Sequence, residues 1–462
     1  MDCWNITSCI DNNNFKNQIG LTKDVVILGG GESGVGAALL AKKLGLSVFL
    51  SDGKQLLPAF KKELDQAAIE YEENGHSVDL VYNTKLLIKS PGISDNLAVI
   101  QQFHVKQIPV ISEIEFAYKH CQGKVIAITG SNGKSTTTKL IHHLLHENGI
   151  DAALGGNIGK SFARIVAEGI HPWYVIEISS FQLDGTKDFK PEIAVLLNIT
   201  PDHLDRYNYD FSLYANSKFL ITKNQNKDDH FIYFGKDQGI LDHLNTAKGH
   251  ATVDALEIKI NHKMELVVGG FELSIQKIPI KGEHNLINSS CAIKTAQIVG
   301  LTNDQIKNAI VTFENLPHRL EFVQNIKGID FINDSKATNV DSVSFALRAM
   351  DKPIIWIAGG TDKGNDYTLI EKLVDSKVKA LVCLGINNAA LINAFKGQID
   401  QIAETQSAES AVRTAYAMAK AGDVVLLSPA CASFDLFQNY EDRGDQFRAA
   451  VKKLGAQQSN NN

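Results

Sequence analysis

The sequence predicts an α/β protein of three domains: an N-terminal Rossmann-like domain, a central P-loop ATPase-type parallel sheet and a C-terminal Rossmann-like domain. Three observations carry that expectation. Short apolar runs such as Val25–Leu28, Val125–Ile128, Trp173–Ile178 and Val424–Leu427 alternate with helical segments, the pattern of a mostly parallel sheet covered by helices. Several of these runs end in glycine-rich turns, two of which have nucleotide-loop spacing. A break at Leu316-Pro317 precedes a third strand–helix series. The expected boundaries are 1–112, 113–315 and 316–462, with residues 1–22 a polar, Asn-rich extension.

A chain of 462 residues can bury several cores. With 44% hydrophobic and 21% charged residues it has the composition of an ordinary globular protein. Net charge is −6 and no basic stripe is visible, which argues against a nucleic-acid partner. Six scattered cysteines without paired spacing read as reduced thiols. The N-terminus lacks a signal-peptide profile, and no apolar stretch is long enough for a bilayer span, so no membrane insertion and a cytoplasmic location are expected. No feature predicts an obligate interface, and a monomer is expected.

In the N-terminal third, the strand Val25–Leu28 enters Gly29-Gly30-Gly31-Glu32-Ser33-Gly34, a helix is expected over Val35–Leu44, and a second strand, Ser47–Leu50, leads to Asp52. By spacing alone this is the dinucleotide fingerprint, with Asp52 set to accept hydrogen bonds from a ribose. Read by itself it predicts NAD, but no hydride-transfer constellation follows it. Ser90-Pro91-Gly92 closes the strand Leu86–Ile88 and reads locally as a turn.

The central third is organised by Thr129-Gly130-Ser131-Asn132-Gly133-Lys134-Ser135-Thr136, between the strand Val125–Ile128 and a helix over Thr137–Asn148. Glycines let this backbone wrap a phosphate, helix-start N–H groups face the anion, Lys134 counters charge, and Ser135 is placed to ligate Mg²⁺. The usual P-loop has a glycine where Ile128 stands, so the tighter form points to a narrower family. Polar runs follow at strand ends, where open α/β sheets bind ligands. Gly155-Gly156-Asn157-Ile158-Gly159 opens a helix. Glu177, in the run Glu177-Ile178-Ser179-Ser180-Phe181-Gln182, is a carboxylate in an apolar strand, where coordination of a metal would offset its burial. His203, in Asn198-Ile199-Thr200-Pro201-Asp202-His203-Leu204-Asp205-Arg206, is a candidate metal ligand. Lys218 lies on a helix expected over Phe211–Gln225, where a solvated charge is the ordinary reading. Residues 236–281 alternate in β fashion, and Gly282-Glu283-His284-Asn285-Leu286-Ile287-Asn288 opens a helix that Asn285 is able to cap.

The C-terminal third carries His318-Arg319-Leu320-Glu321, then Asp334-Ser335-Lys336-Ala337-Thr338-Asn339. Two strands, Pro353–Ala358 and Val424–Leu427, run into Gly359-Gly360-Thr361-Asp362-Lys363-Gly364 and Ser428-Pro429-Ala430-Cys431-Ala432-Ser433-Phe434-Asp435.

Taken together, T-G-S-N-G-K-S-T, N-I-T-P-D-H-L-D-R, G-x-H-N-x-x-N, H-R-x-E and S-P-A-C-A-S-F-D resemble the Mur ligases, the ATP-dependent amide-forming enzymes of peptidoglycan precursor synthesis, from about Asp24 to the last helix. The last run is similar to that of the D-glutamate-adding branch. The resemblance implies UDP-N-acetylmuramoyl-L-alanine and D-glutamate as substrates, and activation of a carboxylate as an acyl phosphate. It implies UDP-substrate contacts at Glu32, Ser33, Gly34, Asp52, Lys54, Ser90, Pro91, Gly92, Asn157, Ser179 and Gln182. ATP contacts would be Gly130, Ser131, Asn132, Gly133, Lys134, Ser135, Thr136, Asn285, Asn288, Arg319, Asp334 and Lys336. Two Mg²⁺ ions would be held by Ser135, Glu177, His203 and Lys218, the lysine carrying a carbamate from CO₂. D-Glutamate would meet Thr338, Lys363, Ser433 and Phe434. Lys134, His203, Lys218 and Arg319 are the implied catalytic residues, Arg319 engaging as domains close. Rival readings are a sibling ligase adding L-alanine, a diamino acid or a dipeptide, a folate-glutamating enzyme, an NAD-dependent dehydrogenase and a non-catalytic nucleotide sensor.

Overall fold

The computed structural model describes residues 23–77, 81–314 and 317–460 and is built on three largely parallel sheets covered by helices. The expected extension over 1–22 and the boundary residue Leu316 lie outside the described residues. The chain divides into two units. The first runs to Gly123 and adds Leu154–Pro172 and Ser179–Phe189; the second takes Lys124–Ala153, Trp173–Ile178 and the chain from Lys190.

In the first unit the strand Lys23–Leu28 lies at the centre of a five-stranded parallel sheet, flanked by Val48–Ser51 and Thr84–Lys89, with Glu70–Glu72 and Val110–Ser112 at the edges. Strand order reverses on either side of that central strand, so the turns after it and after Thr84–Lys89 meet. Ser90 Oγ donates to the Gly29 carbonyl at 3.2 Å. The first helix starts at Glu32 rather than Val35, which puts Glu32, Ser33 and Gly34 in its first turn. A Cβ on Gly34 would lie 1.7 Å from the Gly29 carbonyl oxygen, so only glycine lets this helix sit so close to the strand end.

That helix packs against Phe162–Glu168, which Ser161 caps. The glycine turn at 155–159 therefore does not open the helix directly; the strand Ala152–Gly156 runs into it, and Ser161 begins the helix after it. Both Glu32 oxygens accept from Arg164, at 2.7 and 2.9 Å, and Glu63 accepts from the same guanidinium. On the helix Glu113–His120 two glutamates are buried. The Glu115 carboxylate gathers the backbone N–H groups of Lys187, Asp188 and Phe189 at 2.8–3.1 Å. Glu113 accepts from the start of Phe162–Glu168, and burial pushes its carboxyl up to about 8.

In the second unit the phosphate-loop strand, Lys124–Thr129, lies between Ile193–Leu196 and Trp173–Glu177; His230–Phe234 and Thr252–Leu256 follow on one side and Ala152–Gly156 ends the other. Val125, Ile126, Ala127 and Ile128 are wholly buried, and each branched side chain so buried contributes about 1.5–3 kcal/mol. Helices Lys134–Glu147 and Glu283–Val299 close over this sheet with Leu140, Ile141, Leu144, Ala292 and Ile293 between them. The expected helix over 211–225 is Phe211–Phe219 followed by a 3₁₀ turn, Leu220–Thr222. The region 236–281 opens with a short helix, Gln238–His243, before Thr252–Leu256 and the antiparallel pair Glu265–Val268 and Phe271–Ser274.

The third sheet pairs Glu321–Ile326 antiparallel to Ile329–Asn333, and continues in parallel through Val424–Leu427, Ile354–Ala358, Val378–Leu384 and Gln401–Thr405. Its register aligns Asn333 with Leu427 and Leu427 with Ile357, so three polar loops leave one edge side by side.

Candidate active site

The phosphate loop is fastened by the residues around it. Gly133 has φ +85°, and a Cβ there would lie 2.3 Å from Asn288 Oδ1, so glycine is needed both for the turn and for the close approach of Asn288. Asn198 braces the loop twice: its Oδ1 accepts from the Asn132 N–H at 2.8 Å, and its Nδ2 donates to the Asn132 carbonyl at 3.0 Å. Ser131 Oγ donates to the Thr200 carbonyl and meets Tyr214 OH at 2.9 Å. Lys134 Nζ folds back onto its own loop, donating to the carbonyls of Gly130 and Ser131 at 2.7 and 2.8 Å. Burial pushes the Lys134 ammonium below its usual range, and Glu177 and Asp202 act in the opposite direction. Ser135 and Thr136 are buried in the first helical turn.

Adjacent strand ends bring the remaining polar runs to this loop. Glu177 ends the neighbouring strand and is 2% exposed. His203 has φ +53°, a left-handed conformation uncommon outside glycine; burial depresses its imidazole, which favours the neutral, ligating form. Lys218 is 2% exposed rather than a solvated surface charge. Its Nζ donates to the Gly130 carbonyl at 2.9 Å and lies 4.5 Å from the Tyr214 ring centroid. Among the described residues no group of three or more His, Cys, Asp or Glu side chains forms a metal site. The expected set contains only two of these, Glu177 and His203. Ser135 and Glu177 offer the hard oxygen donors that Mg²⁺ takes, and Lys218 fits only if a carbamate replaces its ammonium.

A cavity of about 320 Å³ opens beside the loop, a size suited to a small ligand. Asn132, Gly133, Thr136, Asn285, Asn288, Arg319, Asp334 and Lys336 line it. Asn285 does not cap its helix. Gly282 is the N-cap, while Asn285 Nδ2 reaches back to the Lys281 carbonyl and its Oδ1 accepts from Asn288 Nδ2 at 2.9 Å. Arg319 sits between two left-handed residues, His318 (φ +64°) and Leu320 (φ +45°). Such a turn costs roughly 1–3 kcal/mol per residue, and it is held by His318 N–H to Glu321 (2.8 Å) and Leu320 N–H to Asp334 Oδ1 (3.1 Å). Burial pushes Asp334 up to about 7 and Lys336 down to about 8. His284, beside the Phe345 ring and pushed down to about 4, presents a neutral ring to the cavity.

Several contributors went unrecognised in the sequence. Asp341 Oδ2 accepts from Asn132 Nδ2 at 2.7 Å and from Thr200 Oγ1 at 3.2 Å, and Ser342 Oγ donates to Asn132 Oδ1 at 2.8 Å. These join the phosphate loop to the helix Val340–Arg348. The Tyr440 ring lies beneath Lys336, whose Nζ is 3.5 Å from its centroid. Their signal is contact between distant residues, which spacing does not reveal.

The expected amino-acid residues fall on loops that touch. Thr361 and Ala432 exchange backbone hydrogen bonds at 2.8 and 3.2 Å, and Ala430 N–H donates to the Ala337 carbonyl. Lys363, Ser433 and Thr338 are thereby carried on neighbouring loops. Lys363 Nζ lies 3.9 Å from Asp202; Ser433 is buried, and the Phe434 side chain is 73% exposed, leaving its backbone as the usable contact.

The expected UDP-substrate residues all lie in the first unit. Asp52 Oδ2 accepts from Gly30 N–H at 2.6 Å and Oδ1 from Lys54 N–H at 2.7 Å, so it shapes the glycine turn. Ser90, Pro91 and Gly92 stand beside that turn through Ser90. The Glu32 carboxylate is held by Arg164, and Ser33 beside it is half-buried. Ser179 and Gln182 form a capping box, Gln182 Oε1 accepting from Ser179 N–H at 2.9 Å, and Asn157 is exposed on its turn.

Residues 128–296 match the Mur ligase middle domain, 318–431 the Mur ligase glutamate ligase domain and 25–99 the MurD N-terminal domain. The UDP-N-acetylmuramoylalanine--D-glutamate ligase of Porphyromonas gingivalis strain ATCC 33277 is 50% identical over 447 residues, covering 94% of this chain and 99% of the relative. The chain belongs to the Mur ligase family. The similarly named ligase of Christiangramia forsetii is 46% identical over 94% of this Mur ligase and 100% of its own length. Among solved structures, the UDP-N-acetylmuramate-alanine ligase of Thermotoga maritima superposes with a TM-score of 0.61 at 19% identity, covering 94% of this chain and all of the other. That likeness speaks for the fold alone. Membership removes the dehydrogenase reading of the first glycine turn. No helix among the described residues of this Mur ligase is long and apolar enough to cross a membrane.

Proposed function

We propose that this Mur ligase joins D-glutamate to UDP-N-acetylmuramoyl-L-alanine at the expense of ATP, as a cytoplasmic monomer in peptidoglycan precursor synthesis. The observation that carries this reading is 50% identity, over nearly the whole of both chains, to a relative named for that reaction. The family matches at 25–99, 128–296 and 318–431 each fall inside one of the domains 1–112, 113–315 and 316–462, which supports that division.

The L-alanine carboxylate attacks the γ-phosphorus of ATP; the β–γ bridging P–O bond breaks and ADP leaves. The neutral D-glutamate amine then attacks the acyl-phosphate carbonyl, loses a proton, and phosphate departs as the amide forms. Two anions meet in the first step, so cationic side chains must offset their repulsion. Lys134, released from the Gly130 and Ser131 carbonyls, turns to the phosphates, and Arg319, which lines the same cavity, presents one edge of its donor fork to the equatorial oxygens. Asn132, Gly133 and the N–H groups of the first turn at Ser135 and Thr136 cradle the phosphates, while Asn285, Asn288, Asp334 and Lys336 hold the rest of the nucleotide. Thr338, Lys363, Ser433 and the Phe434 backbone orient the dicarboxylate. Glu32, Ser33, Gly34, Asp52, Lys54, Ser90, Pro91, Gly92, Asn157, Ser179 and Gln182 receive the UDP-sugar; Glu32 and Asp52 act through the turn they shape. Ser135, Glu177, His203 and a carbamylated Lys218 would hold two Mg²⁺ ions, which supply charge neutralisation at the transferring phosphoryl group.

Phosphate release from ATP with UDP-N-acetylmuramoyl-L-alanine is expected to depend on D-glutamate and not on L-glutamate, L-alanine, L-lysine or meso-diaminopimelate. Release with one of the others would move the chain to a sibling activity, and no release would leave a nucleotide-binding protein. For Lys218, the native mass is expected to exceed the sequence mass by one CO₂, lost on acidification; full activity with no such increment would sink the carbamate.

A further inference from the structure

The first turn of the last helix, Tyr440–Asn460, contains a guanidinium that no step above uses. Arg443 is 1% exposed. Its Nε donates to Ser335 Oγ at 3.0 Å and its Nη2 to the Ser335 carbonyl at 2.8 Å, while Nη1 donates to the carbonyls of Cys431 at 3.2 Å and Gly359 at 3.4 Å. All four bonds end on carbonyl or hydroxyl oxygens, and Asp435 counters the charge only at longer range. Burying a guanidinium on neutral acceptors is costly, and burial pushes Arg443 down to about 10. An apolar side chain of the same size would leave these buried acceptors without a donor, so the position calls for the planar fork itself.

The three acceptor residues belong to three different loops. Ser335 lies in the run Asp334–Thr338, Gly359 opens Gly359–Lys363, and Cys431 stands two residues before Ser433. Neighbouring contacts tie the same turn to the same loops. Ser335 Oγ donates to the Tyr440 carbonyl at 2.8 Å, and the Tyr440 ring supports Lys336. A Cβ on Gly360 would lie 2.1 Å from the Ala432 carbonyl and 3.3 Å from Arg443 Nη1, so the loops are drawn together to the limit of contact around the guanidinium. Asn333 Nδ2 donates to the Gly444 carbonyl at 3.1 Å and meets His318 Nδ1 at 2.9 Å, linking the residue after Arg443 to the turn that carries Arg319.

We propose that Arg443 is a positioning residue that sets the spacing between the nucleotide-side loop Asp334–Thr338 and the two amino-acid-side loops bearing Lys363 and Ser433. The proposal rests on the functional reading given above. Arg443 touches no substrate. It fixes where the D-glutamate carboxylates are held relative to the activated carbonyl.

The test uses the full-length chain and its R443K and S335A variants, measuring kcat, the KM of each substrate and the melting temperature. R443K keeps the charge but not the fork; S335A removes one acceptor and is the milder lesion should R443K not fold. Misplacing the loops is expected to raise the KM for D-glutamate by about 10- to 100-fold in R443K, and by less but in the same direction in S335A. The KM for UDP-N-acetylmuramoyl-L-alanine is expected to stay within about twofold of wild type. An unchanged KM for D-glutamate in both variants, or activity losses that only follow the folded fraction, would overturn the proposal. A wild-type chain that releases no phosphate with D-glutamate would instead remove the functional reading, a result distinct from active wild type with indifferent variants.

Discussion

Lys134→Ala is expected to lower turnover by at least about 10²-fold, the scale seen when one electrostatic stabiliser of a transition state is deleted. Lys134 lies half-buried at a helix start, with Glu177 and Asp202 acting to keep it charged against the effect of burial. Its ammonium spans the carbonyls of Gly130 and Ser131, so truncation also removes a cross-link within the loop. Comparison with Lys134→Met separates lost packing from lost charge, because methionine restores the stem but neither the charge nor the cross-link. Both variants are expected to lose kcat alike while their melting temperatures stay close to wild type. Phosphate release at saturating ATP near the wild-type rate would take Lys134 out of the reaction.

Arg319→Lys is expected to cost a comparable ~10²-fold, although the charge is retained. The residue is aimed by its backbone: His318 and Leu320 are both left-handed, and Glu321 and Asp334 hold them there. A lysine on that turn places a point charge where a planar fork would span several equatorial oxygens. An interaction made only in the transition state lowers kcat and kcat/KM for ATP equally. If the variant instead raised the KM for ATP and left kcat alone, Arg319 would be a ground-state contact and its transition-state role would fall.

The strands were legible because four-residue apolar runs such as Val125–Ile128 have no other place than a sheet buried on both faces. The glycine loops were legible because positive φ and close approach leave a compositional trace, as at Gly133 and Gly34. Burial of Lys218 was not legible: Tyr214-Ala215-Asn216-Ser217-Lys218 has no local mark separating an inner from an outer helix face, and the outcome depends on the Gly130 carbonyl, 88 residues earlier. The same holds for Asp341, which meets Asn132 across 209 residues, and for Arg443, whose partner Ser335 is 108 residues away. The double duty of Glu32 was hidden for a related reason. A glutamate in a glycine fingerprint reads as a ligand contact until Arg164 is brought beside it by the packing of two helices. Local sequence thus records backbone requirements, whereas the braces around a site are written in long-range pairs.

The Glu115 carboxylate has a consequence for how the chain is made. Its backbone partners, Lys187, Asp188 and Phe189, follow it by 72 to 74 residues, and the helix bearing Arg164 lies in between. During N-to-C synthesis the five strands of the first unit emerge early, yet a buried carboxylate without its N–H groups is costly to keep. The first unit is therefore complete only once Phe189 has left the ribosome, and by then the phosphate-loop strand and helix are already outside. Truncation after Gly123 would yield a fragment with Glu115 and the apolar face of Glu32–Lys43 uncovered, prone to aggregate rather than to fold.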